Sequence, residues 1–282
     1  MKKDAIGVVK IGGAKGNDLR PLLKELAERS SEGEKWVLVH GASGYMEDIC
    51  RASGSEPVYV TSPSGFRSRF VGAGERDLFE FACAKFSVDL ISSAMNYGLC
   101  MMPLYPEHFQ SASGERKDVL RSVENGRVRI LRGNFSGRVT SFDTEWVLKA
   151  WSAGALPMVP PIALSQADSS PLNVDGDRLA ALVASSLKAE VLVILSNVPG
   201  LLSDPDDGNS VIKRSGLADW KRLEGYAGGN MKRKLVAAKE ALEGGVAKVV
   251  IADSREENPL GKALSGGGTT LCREFTDRES SK

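Results

Sequence analysis

Apolar residues recur along this chain with two periods, and the alternation between them predicts a succession of strands and helices. Ile6 to Ile11 is an apolar run broken by Lys10 and predicts a strand; Asp18 to Ser30 follows as a helix, Trp36 to His40 as a strand and Tyr45 to Ala52 as a helix. Glu75 to Tyr97 keeps the apolar spacing of a helix, which predicts one long helix or two. From Leu99 to Thr140 the pattern weakens: Arg127 to Leu131 alternates like a strand, between turn signals at Glu124 to Gly126 and Arg132 to Gly137. Phe142 to Ala153 predicts a helix and Leu156 to Pro160 a strand. Pro171 to Gly200 packs a polar loop, an amphipathic helix, a buried strand and a second polar loop into thirty residues. Met231, Leu235, Ala238 and Leu242 make a helical stripe that Gly244 and Gly245 stop, and Lys248 to Ala252 is a last buried strand. Arg273 to Lys282 reads as a frayed polar tail. Successive strand and helix units predict an α/β fold, an open, mainly parallel sheet sandwiched between helices.

Three places in this pattern carry chemistry. Lys10 interrupts an otherwise apolar strand, so its ammonium group must meet an anion or stay wet. Gly12 and Gly13 follow it; glycines after a strand let backbone N–H groups approach a phosphate closely, and the lysine adds a point charge. An edge lysine reaching solvent is the bland alternative. Asn173, Asp175 and Asp177 crowd an amide and two carboxylates onto the loop that opens a helix, where a single aspartate would suffice as a cap. Lys232, Arg233 and Lys234 fall in the first turns of the helix after Gly228, where the macrodipole disfavours cations, so something negative should compensate. Lys232 and Arg233 read as a solvated face, whereas Lys234, about 100° from Leu235, flanks the buried stripe and can lean into a cleft. Two lysines on separate elements, glycine-rich turns and a carboxylate are the parts of a phosphoryl-transfer site. An acidic acceptor needs no histidine base, which fits a chain with only His40 and His108.

Composition narrows the classes. At 282 residues the chain can bury a large core, and its net charge of +1 argues against a nucleic-acid protein. A local basic cluster, Arg116, Lys117, Arg121, Arg127, Arg129, Arg132 and Arg138, is either a solvated surface or a docking face for an acidic partner. Cys50, Cys83, Cys100 and Cys272 have no metal or redox spacing and read as buried small hydrophobes in a reducing compartment. No signal peptide or membrane-length run is visible, so the expectation is a cytoplasmic protein with no membrane partner. GASG after VLVH lacks the third glycine and the downstream acid of a dinucleotide loop, and there is no GxxxxGK[ST].

Five segments then match a known family in order and approximate spacing: VVKIGG from Val8, VLVHGASG from Val37, PLNVDGD from Pro171, VILSNVPG from Val193 and GGNMKRK from Gly228. From about Val8 to Leu271 the chain resembles the amino acid kinase superfamily, and within it the acetylglutamate kinase branch. TSPSGFRSRF at Thr61 to Phe70 and ALSGGGT at Ala263 to Thr269, with PLNVDGD, make it similar to the archaeal and thermophile kinases of lysine biosynthesis. The resemblance implies an enzyme that uses ATP and Mg2+ to phosphorylate the side-chain carboxylate of 2-aminoadipate or glutamate, whose amino group is held by a small acidic carrier protein. N-acetylglutamate kinase is the alternative within the branch, and a catalytically quiet nucleotide-binding relative is the alternative outside it. A homodimer is also implied. So are two lobes sharing one continuous sheet: 1–165 for the acyl substrate and dimerisation, 166–282 for ATP.

Residue by residue, the resemblance implies that Lys10 and Lys234 stabilise the transferring phosphoryl group and that Asp177 positions both. Asn173 would bind the acceptor, and Arg67 or Arg69 would clamp its free α-carboxylate. Gly12 and Gly13 would hold the γ-phosphate, and Gly41, Ala42, Ser43 and Gly44 would cradle the acyl portion. Ser196, Asn197 and Gly200, with Gly229, Asn230 and Met231, would line the nucleotide pocket. The chain also departs from its relatives. Ala42 and Ser43 replace glycines of an HGGG turn, Asn197 replaces an aspartate and Asn230 a glycine. Met101 to Ser113 lacks a G-x-D-G stretch, and Val71 to Glu75 replaces the usual helix start after the arginine. The last two changes fall on the expected acceptor side.

Overall fold

The computed structural model describes residues 5–13, 17–61, 63, 67–124 and 127–274. Residues 62 and 64–66 of the TSPSGFRSRF segment, 125–126 of the expected turn and the tail beyond 274 lie outside the described residues. The first third runs β1 (Ile6–Ile11), α1 (Arg20–Ser31), β2 (Lys35–His40), α2 (Ser43–Ser53), β3 (Tyr59–Thr61), β4 (Arg67–Arg69) and α3 (Ala73–Met95). The middle adds β5 (Met101–Pro103), α4 (Pro106–Phe109), β6 (Ala112–Arg116), β7 (Leu120–Glu124), β8 (Arg127–Leu131), β9 (Ser136–Phe142) and α5 (Glu145–Ser152). Then come β10 (Leu156–Val159), β11 (Ile162–Ser165), β12 (Pro171–Val174), α6 (Gly176–Ser186), β13 (Val191–Ser196) and β14 (Arg214–Gly216). The chain closes with α7 (Trp220–Tyr226), α8 (Gly229–Glu243), β15 (Lys248–Asp253), α9 (Pro259–Leu264) and β16 (Thr269–Cys272).

Eight strands form one sheet in the order β14-β16-β15-β13-β1-β2-β10-β5, parallel throughout except where β16 meets β15. Lys10 apart, the interiors of the inner strands are apolar because helices cover both faces. Side-chain alternation divides them into two cores. Val8, Val37, Val39, Leu192, Ile194, Val249 and Ile251 pack with α6 and α8, while Val9, Ile11, Leu38, Val193, Leu195, Val250 and Ala252 pack with α1, α3 and α9. Lys10 shares the parity of Val8, so it faces α6 and α8. Glu25 on α1 fastens the second layer: its buried carboxylate accepts the N–H groups of Leu260 (2.8 Å) and Gly261 (2.6 Å) at the start of α9.

A second sheet, β11-β12-β9-β6, closes on itself as a small barrel, and β3-β4 and β7-β8 are separate hairpins. Here the structure corrects the sequence reading. Pro171–Val174 is not a polar loop but a strand, paired to β11 and β9. β5, β6, β7 and β9 lie in the stretch where only β8 was expected, and Phe142 ends β9 instead of opening a helix, which begins at Glu145. The strands were hidden because they are short and carry small polar residues where they cross closely. At Gly114 a Cβ would come within 2.6 Å of the Arg138 carbonyl oxygen. The segment Glu75 to Tyr97 is a single helix, α3. Cys50 and Cys83 are buried, but Cys100 is exposed and Cys272 half-buried, so only two of the four thiols are core residues. Among the described residues no helix is long and apolar enough to cross a membrane.

Candidate active site

Because β1, β2, β13 and β15 are parallel, the loops that leave them gather at one edge of the sheet, where open α/β folds bind ligands. Lys10 reaches this edge from β1, Asp177 from the first turn of α6 and Lys234 from the second turn of α8. Lys10 Nζ lies 2.5 Å from Asp177 Oδ1, an ion contact without hydrogen-bond alignment, and Lys234 Nζ donates to Asp177 Oδ2 at 3.1 Å. The three side chains are only 9–10% exposed. Burial pushes the Asp177 carboxyl up, but the two ammonium groups outweigh it and hold it down to about 2. Burial and then Lys10 lower the pKa of Lys234, against the pull of Asp177. Two cations on one anion leave a surplus positive charge in a site nearly closed to water, and such a site attracts an anion.

Local structure explains why these side chains meet. Asp175 caps α6, its Oδ1 accepting the N–H groups of Asp177 (3.0 Å) and Arg178 (3.1 Å), so Asp177 is left for the lysines. At Gly176 a Cβ would sit 3.4 Å from Lys10 Cε, ordinary contact that a larger side chain would crowd. Arg178 forks onto Glu240, with Nε to Oε2 at 2.9 Å and a second contact from Nη2 to Oε1, tying α6 to α8. No sequence pattern announces that pair, 62 residues apart. Lys232 is exposed as expected, whereas Arg233 is half-buried and not part of a fully solvated face.

The two glycine turns pack back to back. A Cβ at Gly13 would come within 2.3 Å of the Ala42 nitrogen, and one at Gly41 within 2.8 Å of the Gly13 nitrogen, so both must be glycine. Gly44 N donates to Gly13 O at 2.7 Å and Gly41 N to Ile11 O at 3.0 Å, joining the turns. Gly12 is half-buried beside them. Ala42 has φ −141°, and its methyl joins a core of Met46, Cys50, Phe79 and Cys83, so the side chain points away from the loop of Gly13. Ser43 is exposed at the start of α2. The replaced glycines therefore leave the turn open.

On the acceptor side, Asn173 lies on β12, half-buried, with its N–H on the Phe135 carbonyl at 2.9 Å. Phe135 is flanked by the guanidinium groups of Arg116 (3.6 Å) and Arg76 (4.6 Å), neither of which the sequence singled out for this site. Arg69 is engaged: its Nε lies 3.6 Å from Glu75 Oε1, Nη2 lies 3.7 Å from Cys50 Sγ, and Tyr59 lies beneath it. Burial raises the Glu75 carboxyl pKa against the opposing pull of the Gly72 N–H and Arg69. Arg67 belongs to β4, but its side chain lies outside the described residues.

On the other side, Ser196 ends β13, and Asn197 Oδ1 accepts from Asn17 Nδ2 (2.7 Å) and Ser254 Oγ (3.2 Å). Asn197 thus joins the loops after β1, β13 and β15, and neither Asn17 nor Ser254 was legible as its partner. Gly200 leaves room for Thr269, whose Oγ1 would lie 2.7 Å from a Cβ there and accepts the Leu201 N–H at 2.8 Å. Gly229 opens α8 with φ 47°, while Asn230 is exposed and Met231 half-buried. The left-handed residue is Gly229, so Asn230 needs no special backbone tolerance.

Residues 6–253 match the model of the amino acid kinase family. The chain is 41% identical to [LysW]-aminoadipate kinase from Deinococcus radiodurans, covering 94% of this chain and 90% of that one. It is 37% identical to the Thermus thermophilus enzyme of that name, covering 94% and 99%. It is 32% identical to [LysW]-aminoadipate/[LysW]-glutamate kinase from Metallosphaera sedula, covering 94% and 99%. Among solved structures, N-acetylglutamate synthase from Neisseria gonorrhoeae superposes with TM-score 0.78 at 23% identity, covering 96% of this chain, which spans 60% of that longer one. Carbamate kinase from Giardia lamblia follows the same fold, with TM-score 0.64 at 16% identity over 97% of this chain and all of that one. With the family model matched over most of its length, this chain belongs to the amino acid kinase family.

Proposed function

We propose that this protein transfers the γ-phosphoryl group of ATP to the side-chain carboxylate of 2-aminoadipate, or of glutamate, while the amino acid is attached to an acidic carrier protein of the LysW kind. The observation that carries the chemistry is the buried Lys10–Asp177–Lys234 cluster. A phosphoryl group in flight spreads negative charge over its oxygens, and two ammonium groups held at fixed positions stabilise that charge without reorganising. The attacking carboxylate is already ionised, so no general base is required. The acceptor's identity rests on the curated relatives, whose names specify LysW-linked aminoadipate or glutamate.

Lys10 and Lys234 would contact the transferring group, Asp177 would set their spacing, and Gly12 and Gly13 would offer N–H groups to the γ-phosphate. Gly41, Ala42, Ser43, Asn173 and Arg69 or Arg67 would hold the acceptor; Ser196, Asn197, Gly200, Gly229, Asn230 and Met231 would border the nucleotide. Among the described residues no three His, Cys, Asp or Glu side chains converge on a metal position, and Asp177 is occupied by lysines. An Mg2+ ion arriving with the nucleotide would supply further neutralisation of its charge.

We assign residues 1–165 to acceptor binding and 166–282 to nucleotide binding, across one continuous sheet. A homodimer is supported by α3, on which Phe81, Val88 and Met95, spaced seven apart, are 61%, 56% and 71% exposed. Carrier docking is supported by the β7–β8 hairpin and its flanks, where Lys117, Arg121, Arg127 and Arg132 are exposed; Arg116 and Arg138 already pair with Asp118, Asp168 and Glu115. A biosynthetic kinase of this type works in the cytoplasm.

Incubation with Mg-ATP and hydroxylamine tests the proposal, because an acyl phosphate is trapped as a hydroxamate. Carrier-linked aminoadipate or glutamate should give product. Product from N-acetylglutamate alone would overturn the acceptor assignment, and no detectable ATP binding by calorimetry would overturn the kinase itself.

A further inference from the structure

His40 is fully buried and lies outside the lysine cluster, yet it sits in a continuous hydrogen-bond chain. Its Nδ1 is 3.0 Å from the Gly41 carbonyl oxygen, its Nε2 is 3.0 Å from Ser87 Oγ, and Ser87 Oγ is 2.9 Å from the Tyr105 hydroxyl. A carbonyl oxygen only accepts, so Nδ1 must carry the ring proton. Burial, with a further push from Lys10, depresses the imidazole pKa to about 4, so the ring is neutral and Nε2 is an acceptor. The remaining directions follow: Ser87 donates to His40 Nε2, and Tyr105 donates to Ser87. Phe86 packs edge-on against the ring at 5.2 Å and fixes its plane.

The end of this chain is the turn that faces the glycines after β1. A trans peptide directs its C=O and the following N–H to opposite sides, and the chain has no cis bonds among its described residues. Holding the Gly41 carbonyl on the His40 ring therefore turns the Ala42 N–H the other way. Gly13 packs on the face of that peptide: a Cβ there would lie 2.3 Å from Ala42 N, 2.4 Å from Gly41 C and 2.6 Å from Ala42 Cα, so the N–H edge runs past Gly13 and not into it. The other end, Tyr105, lies within Met101 to Ser113, where the G-x-D-G stretch of related kinases is missing. Ser87 comes from α3.

We propose that His40, Ser87 and Tyr105 are positioning residues: their one-directional hydrogen-bond chain orients the Gly41–Ala42 peptide so that its N–H is presented to the oxygens of the carboxylate and phosphoryl group that react there. The inference rests on the carboxylate-kinase reading, but its geometric half does not. A neutral His40 also matters to the lysine cluster, because an imidazolium would set a third cation beside Lys10.

Two measurements separate the halves. The chain has two histidines, so protein labelled with 15N-histidine shows two imidazole rings, assigned with His108→Gln. Before any substrate is added, His40 should be neutral with its proton on Nδ1 between about pH 6 and 8; a proton on Nε2, or a charged ring, overturns the proposal whatever the enzyme phosphorylates. In the hydroxamate assay with carrier-linked aminoadipate, Ser87→Ala and Tyr105→Phe should lower kcat about tenfold, a fraction of the loss when an oxyanion donor is removed outright, with the KM for ATP unchanged. His40→Asn, whose amide can replace the Nδ1 donor, should retain more kcat than His40→Gln. Unchanged kcat in folded Ser87→Ala, or equal loss in His40→Asn and His40→Gln, overturns the proposal. If the His40 variants fail to fold, the Ser87 and Tyr105 variants decide. A wild type inactive on every carboxylate would sink the kinase reading and leave the spectrum to judge the geometry.

Discussion

The two sides of the candidate site are built differently. The phosphoryl side hangs on regular elements: Lys10 on a central strand, Asp177 and Lys234 on two helices locked by the Arg178–Glu240 fork. The acceptor side hangs on hairpins, a small barrel and short strands, with Arg69 held by Glu75 and Phe135 held between two arginines. Charge explains the contrast. Two buried ammonium groups repel one another and lose hydration, so only a rigid frame with a shared carboxylate can keep them together. An acceptor cradle mainly needs shape and hydrogen-bond donors, which side chains on loops can supply and vary.

If that contrast holds, the largest single loss follows Asp177→Asn. It leaves two buried cations on a neutral amide, which should cost about 3–5 kcal/mol in urea unfolding and lower kcat about a hundredfold or more. A stability change within 1 kcal/mol, roughly the scale of an exposed ion pair, would mean the cluster is solvated. Next in size, Arg69→Ala should raise the acceptor KM by about tenfold to a hundredfold, the value of a charge-assisted contact, and leave the ATP KM alone. Were ATP to weaken equally, the two sides would not be separable.

A smaller effect appears on acidification, in two windows. The unfolded His40 imidazole takes a proton near 6.5 and the folded one near 4, so protons favour the unfolded chain and stability falls as pH drops through that range. The Asp177 carboxyl, depressed from 3.8 to about 2, contributes stability above about pH 4 that disappears below it. The two shifts correspond to roughly 3 and 2 kcal/mol respectively. Unfolding curves at pH 7, 5 and 3.5 should show the first loss already at pH 5, and His40→Asn should remove it. The smallest effect is expected from Asn197→Asp, below about threefold in kcat/KM for ATP, because the side chains of Asn17 and Ser254 donate to Oδ1 and a carboxylate accepts both bonds equally well.

The same contrast decided how much could be read from sequence. Strands such as Val191–Ser196 and helices such as Gly229–Glu243 declare themselves through sustained periodicity, and the lone Lys10 in an apolar run marks a charge that must be answered. The answer was narrowed to Asp175 or Asp177, two carboxylates at a helix start where one cap suffices, and the family resemblance chose Asp177. Pro171–Val174 was misread as a loop because four residues are too few to show alternation, and its partners β9 and β11 are set by the tertiary fold. Arg178–Glu240, the Asn197 junction and the His40–Ser87–Tyr105 chain join residues 18 to 180 positions apart, so no local pattern encodes them. Ala42 is the reverse case: the sequence marks it only as a departure from a glycine turn, whereas in the fold its methyl completes a core.

The central claim is that the two buried lysines act on charge that appears only as the phosphoryl group moves. Single-turnover kcat and the ATP dissociation constant should be measured side by side for Lys10→Ala and Lys234→Ala. Each variant should lose about a hundredfold or more in kcat while binding ATP within about threefold of the wild type. Full turnover in either variant, or a loss that appears in ATP binding and not in turnover, would contradict the account.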